Sequence, residues 1–223
     1  MLYEGSDPPV QLTQLYNLLY DTYGDQGWWP GRSDWEILFG SVLIQNTNWP
    51  NVDQAIAALT QATGMIPHQM RTLSTDQLQD LIRPAGFFTR KAQTIQNLLT
   101  WLAAANDDLA RLRRTPPQRL RTSLVALSGI GDETADDILL YVLSVPTVII
   151  DKYTRRFFNR FEITLPASYL AAQKAVADQL PNFTLRGLQN FHALIVAVEK
   201  EKYTKSQWQD LPMSQYRLEW NQS

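Results

Sequence analysis

Asp151 ends the apolar run Val148-Ile149-Ile150 and precedes a segment of helical spacing, so its backbone is expected to be held rigidly. A carboxylate fixed in that way can stabilise positive charge developing in a transition state and can orient or deprotonate water. The same position suits a helix N-cap, a role worth about 1 kcal/mol, and the two roles are compatible. Upstream, Gly129-Ile130-Gly131 makes a tight turn between two apolar helical segments in the stretch from Leu124 to Tyr141. Glycines permit backbone angles closed to other residues and bare their amides, while Ile130 can plug the turn into a core. Amides at such a turn and at the following helix N-terminus point outward together and can bind a phosphate oxygen. Contacts of that kind position DNA without reading its sequence. A plain helix–helix turn is the alternative.

Trp28, Trp29 and Trp49 offer flat faces for a base, and a positively charged purine would gain about 0.5–2 kcal/mol of cation–π attraction. Core packing explains any single one of them as well. The adjacent pair between Gly27 and Pro30 reads as a loop, where exposed aromatics are harder to explain by packing. There is no cysteine, which removes disulfides, thiolate zinc sites, iron–sulfur clusters and cysteine nucleophiles together. His68 and His192 lie far apart with no cluster of ligand spacing around either, so both are assigned to packing or surface. No bound metal and no cofactor are expected. The net charge of −2 places any nucleic-acid contact on local basic patches. Arg111, Arg113, Arg114, Arg119 and Arg121 form one; Arg155, Arg156 and Arg160 form another after Asp151. Each also reads as a solvated face.

Helical spacing positions these groups. In 223 residues with 44% hydrophobic content, apolar side chains recur at three-to-four-residue intervals, as in Leu12, Leu15, Leu18 and Leu19, without sustained strand alternation. The first helix should stop near Gly24. Ser33 to Glu36 reads as a capping box opening an apolar helix, and Ser74 to Gln77 repeats the pattern. Pro50 suits the first turn of a further helix that Gly64 ends. Residues 91–105 are helical, and Thr115-Pro116-Pro117 is a break. Further helices are expected near 118–127, 133–144, 154–162, 168–180 and 184–202, and the tail after Lys205 shows no clear pattern. The chain reads as all-α, with one helical lobe at 30–145, a second built from 1–29 and 146–223, and a substrate cleft between them. The polar, Pro-containing segment from Met1 to Val10 lacks signal-peptide character, and no apolar run is long enough for a membrane span, so a cytoplasmic protein without membrane contact is expected.

The pattern Leu127-x-Gly129-Ile130-Gly131-x-x-Thr134-Ala135-Asp136-x-Ile138-Leu139, followed by Val145-Pro146 through Asp151 to Arg156, resembles the helix-hairpin-helix, loop and aspartate of the endonuclease III (HhH-GPD) DNA glycosylase superfamily. The resemblance runs from about Trp28 to Val198 and includes Leu43-Ile-Gln-Asn-Thr47 and Phe191-His-Ala-Leu-Ile-Val196. Within the superfamily the chain is most similar to the 3-methyladenine DNA glycosylase III branch. The resemblance implies catalysis by Asp151, a DNA wedge at Gln45, a base pocket at Trp28, Trp29 and Trp49, and backbone binding at Gly129, Ile130, Gly131, Thr134 and Arg155. The implied partner is double-stranded DNA carrying a damaged base, bound by a monomer that is nucleoid-associated while on DNA. Two departures matter. Lyase members carry a lysine where this chain has Glu133, and many relatives hold an iron–sulfur cluster on C-terminal cysteines where this chain has Lys200, Lys202 and Lys205. A monofunctional glycosylase for an alkylated purine such as 3-methyladenine is therefore expected, against a bifunctional glycosylase with lyase activity or a non-catalytic DNA-binding module.

Overall fold

A computed structural model describes residues 9–220. Residues 1–8 and 221–223, to which the expected ends of the second lobe and most of the Met1 to Val10 reading apply, lie outside the described residues. Among the described residues every regular element is helical, apart from an isolated parallel bridge between Val10 and Leu218. The protein is all-α. It divides into two compact units, residues 29–145 and residues 1–28 with 146–223.

The unit of residues 29–145 contains α2 (Asp34–Leu43), α3 (Trp49–Thr63), α4 (Pro67–Met70), α5 (Thr75–Ile82), a 3-10 turn (Arg83–Ala85), α6 (Phe88–Ala104), α7 (Leu109–Arg113), α8 (Pro117–Val125) and α9 (Asp132–Asp137). α9 widens into a π-helical turn over Ile138–Val142. Its core is continuous, with Leu38, Val42, Leu59, Ile95, Leu98, Leu124 and Ile138 buried together. Local chemistry sets the boundaries. The Asn48 side chain caps α3 with Pro50 in its first turn, and Gly64, left-handed at φ 61°, ends it. Ser74 and Gln77 form the reciprocal cap of α5. At α2 only half of the expected box forms: Ser33 accepts from the Glu36 amide, but the Glu36 carboxylate accepts from the Arg32 amide at 2.8 Å. The long side chain reaches one residue further back than the pattern requires.

The second unit contains α1 (Leu12–Tyr23), α10 (Lys152–Arg160), α11 (Tyr169–Ala177), α12 (Leu185–Lys200), α13 (Lys205–Gln209) and a 3-10 turn (Pro212–Gln215). α12 packs against both α1 and α10. Glu199, completely buried near the end of α12, is held by Arg156 and Arg160 of α10, and Arg160 lies 4.6 Å over the ring of Trp208 in α13. A carboxylate without water needs that double pairing. α4, α7 and α13 are too short for periodicity to reveal. α13 carries a readable signal nonetheless, because Thr204 and Gln207 form a capping box.

Candidate functional site

In the unit of residues 29–145 the candidate groups collect around the hairpin. Ile130 is buried in the core. Gly129 has φ +93°, and a Cβ added to it would meet Thr94 Cβ and Cγ2 at 2.9 Å and run into Thr94 Oγ1. This position therefore requires glycine twice over, for conformation and for space. Gly131 does not. It is extended at φ −92° and ψ −177°, and nothing lies within 4 Å of a Cβ built there. The expectation that both glycines serve a special backbone angle is corrected for Gly131, whose missing side chain leaves room only on the outer side of the turn. Gly131 is the N-cap of α9 and gives it no side-chain cap.

Gln45 and Thr134 meet at this hairpin. Gln45 Nε2 donates to Gly129 O at 3.1 Å and to Thr134 Oγ1 at 2.9 Å. The partner carbonyl lies 84 residues away in sequence, so Gln45, in the turn after α2, reports on tertiary packing and not on its local segment. Beside it is a feature the sequence reading missed. Phe87 is 63% exposed and has φ +47° at the start of α6. A cavity of about 330 Å³ is lined by Gln45, Asn46, Phe87, Arg90 and Gly129 among others. A large aromatic left in solvent on a strained backbone is the signal that exposes this site, and it exists only in three dimensions.

The tryptophans divide. Trp29 is buried, edge-on to Trp49 at 5.8 Å and to Tyr141 at 5.6 Å between ring centroids. Its environment is core packing, which the sequence left open as the alternative. Trp28 belongs to the other unit and is half-buried, with Lys200 Nζ 4.6 Å above its ring. Burial lowers the Lys200 pKa from the usual lysine value.

In that other unit Asp151 is the N-cap of α10. Its Oδ1 accepts from the Thr154 amide at 2.7 Å, and its Oδ2 faces His192 Nε2 of α12 at 3.8 Å. That separation is beyond a hydrogen bond but close for charges. Burial opposes ionisation of the buried carboxyl, yet His192 and Thr154 together outweigh it and hold its pKa below the usual aspartate value. Sequence spacing assigns His192 to packing or surface; the fold sets its ring beside the Asp151 carboxylate. The loop before Asp151 is pinned from α11, since Gln173 Nε2 donates to Thr147 Oγ1 and to Val148 O. Thr154 Oγ1 also donates to Ile149 O.

The arginine patches are mostly occupied within the protein. Arg155 donates to the carbonyls of Pro166 and Ala167, so a phosphate contact from it would have to displace them. Arg156 and Arg160 hold Glu199. Arg113 pairs with Asp34 and Arg121 with Asp132 and Asp136. Arg111, Arg114 and Arg119 stay exposed.

One unit thus carries the Gly129-Ile130-Gly131 turn and the other a buried carboxylate held below its usual pKa. Residues 39–182 match the model of the HhH-GPD superfamily of base excision DNA repair proteins. A Methanocaldococcus jannaschii protein assigned by name to the DNA repair glycosylases is 35% identical over 82% of this chain and 84% of its own. Endonuclease III of Sulfolobus acidocaldarius is 29% identical over 74% of this chain and 72% of its own. Among solved structures, H. pylori 3-methyladenine DNA glycosylase bound to 1,N6-ethenoadenine superposes with a TM-score of 0.73 at 25% identity, covering 86% of this chain and 96% of that one. A trapped endonuclease III–DNA covalent intermediate superposes with a TM-score of 0.74 at 20% identity, covering 90% and 91%.

Proposed function

The chain belongs to the HhH-GPD superfamily of base excision DNA repair proteins, and we propose that its own reaction is hydrolysis of the N-glycosidic bond of a damaged base flipped out of duplex DNA, without lyase activity. The observation that carries this reading is Asp151, a buried carboxylate kept ionised by His192 and the α10 N-terminus. As the glycosidic bond breaks, its electron pair leaves with the base and positive charge builds on the sugar. A fixed negative charge stabilises that state more than the ground state and accepts the proton of the water that attacks the sugar carbon. A neutral or solvent-exposed aspartate would do neither as well. Glu133, standing where the lyase members carry lysine, supplies no amine for a Schiff base.

DNA would be held by the amides around Gly129 and Gly131, and the gap left by the extruded base would be filled from the face carrying Gln45 and Phe87. The proposed substrate is an alkylated purine such as 3-methyladenine, the base that names the H. pylori relative. A cationic alkylpurine departs without being protonated first, so a single carboxylate suffices. Trp28 and Trp49 are the stacking candidates that stay half-buried, and a cationic base on Trp28 has to compete with Lys200 for the ring face. Incubating the protein with duplexes carrying 3-methyladenine and other lesions, with and without alkali, tests the proposal. Strand cleavage that requires alkali is expected. Cleavage without alkali would assign lyase activity, and no cleavage of any lesion duplex would refute the glycosylase reading.

A further inference from the structure

Lys91 is an unusual place to find a lysine. It is 3% exposed in the first turns of α6, and burying an ammonium is costly unless its donors are matched. Here two of its three are: Nζ donates at 2.8 Å to Leu43 O and at 2.8 Å to Ala85 O. Burial pushes its pKa down to about 8, so at neutral pH the group is still largely an ammonium and both bonds are charge-assisted.

The two carbonyls are not arbitrary. Leu43 ends α2 two residues before Gln45, and Ala85 ends the 3-10 turn two residues before Phe87. One ammonium thus ties together the roots of the two segments whose side chains flank the cavity beside the hairpin. The same stripe of α6 continues the arrangement at three-residue intervals. Thr94 packs against Gly129, and Asn97 Nδ2 donates to Ser128 O at 3.2 Å. Lys91, Thr94 and Asn97 therefore form a backplate on which the Gln45 turn, the Phe87 turn and the hairpin share one register.

We propose that Lys91 is a positioning residue for DNA insertion: its clamp on Leu43 O and Ala85 O sets Gln45 and Phe87 at the height needed to enter the gap beside an extruded nucleotide. The inference rests on the DNA reading given above. Both side chains sit on short turns, which are the mobile parts of a helical protein, and insertion must precede chemistry. Losing the clamp lowers selective binding at a gap more than it lowers binding to the backbone in general.

The test compares affinities for a duplex containing a tetrahydrofuran abasic analogue and for the same duplex undamaged, at fixed salt. Lys91→Met should reduce the preference for the abasic duplex about tenfold, the scale of one charged hydrogen bond lost. The same substitution in a Gln45→Ala, Phe87→Ala background should change the preference no further, because the residues it acts through are gone. An equal loss in both backgrounds, or an unchanged preference in Lys91→Met, overturns the proposal. Lys91→Gln, which keeps two donors but neither the reach nor the charge, serves if the methionine variant does not fold, with the same expected loss. Wild-type protein that shows no preference for the abasic duplex would instead fail the DNA reading itself.

Discussion

Gly129→Ala and Gly131→Ala lie two positions apart in the sequence and should behave oppositely. At Gly129 an alanine must adopt φ +93°, which costs an L-residue about 1–2 kcal/mol. Its Cβ also meets Thr94 at 2.9 Å or closer, and overpacking of this kind costs a further ~1–3 kcal/mol. The sum of about 2–5 kcal/mol is a large share of an ordinary domain's stability. At Gly131 the backbone is already extended and the added methyl meets nothing, so stability should change by less than about 1 kcal/mol. Urea denaturation followed by tryptophan fluorescence measures both. Thr94→Ala removes Oγ1 and Cγ2, so the cost of Gly129→Ala should shrink by roughly 1 kcal/mol or more in that background as the steric part is relieved. Binding to undamaged duplex reverses the order of importance: Gly131→Ala, though stable, should bind about tenfold more weakly, because the methyl occupies the space a phosphate needs. A stable Gly129→Ala, a cost unaffected by Thr94→Ala, or full DNA affinity in Gly131→Ala would refute this account of the turn.

Asp151→Asn should lower base excision at least ~100-fold while leaving affinity for undamaged duplex within about threefold, measured by single-turnover kinetics and anisotropy. Because the folded-state pKa of Asp151 is depressed, its contribution to stability is complete above the ordinary aspartate value and is lost as pH falls through the lowered one. The acid limb of the stability–pH curve should therefore be shallower in Asp151→Asn than in wild type, and identical limbs would show that His192 and Thr154 do not favour the ionised form. Borohydride added during turnover should trap no protein–DNA adduct, given Glu133; efficient trapping would place the protein among the lyases. Lys200→Met frees the ring of Trp28 and should raise excision of cationic 3-methyladenine relative to neutral ethenoadenine about threefold or more. An unchanged ratio would remove Trp28 from the base pocket.

Local rules made much of this protein readable before any coordinates. Side chains one turn apart meet wherever the helix goes, so the cap at Ser74, the first-turn Pro50, the stop at Gly64 and the all-α class follow from spacing. The hairpin was legible only in the longer pattern that runs from Leu127 through Thr134-Ala135-Asp136 to Asp151, since a glycine pair alone reads as well as a plain helix–helix turn. The dual position of Asp151, as cap and as rigid carboxylate, was also visible in the residues around it. What the sequence could not contain is the choice among distant partners. His192 comes to Asp151 because α10 packs on α12. Lys91 finds Leu43 O at a separation of 48 residues, and Gln45 finds Thr134 at 89. Nothing in the one-dimensional pattern marks Arg155 and Arg156 for internal pairing or Trp29 for the core, because an arginine or a tryptophan has the same local preferences in either setting. Those assignments are decided by burial: once helices close on each other, every ammonium, guanidinium and carboxylate taken out of water must find a partner among the groups the packing happens to present.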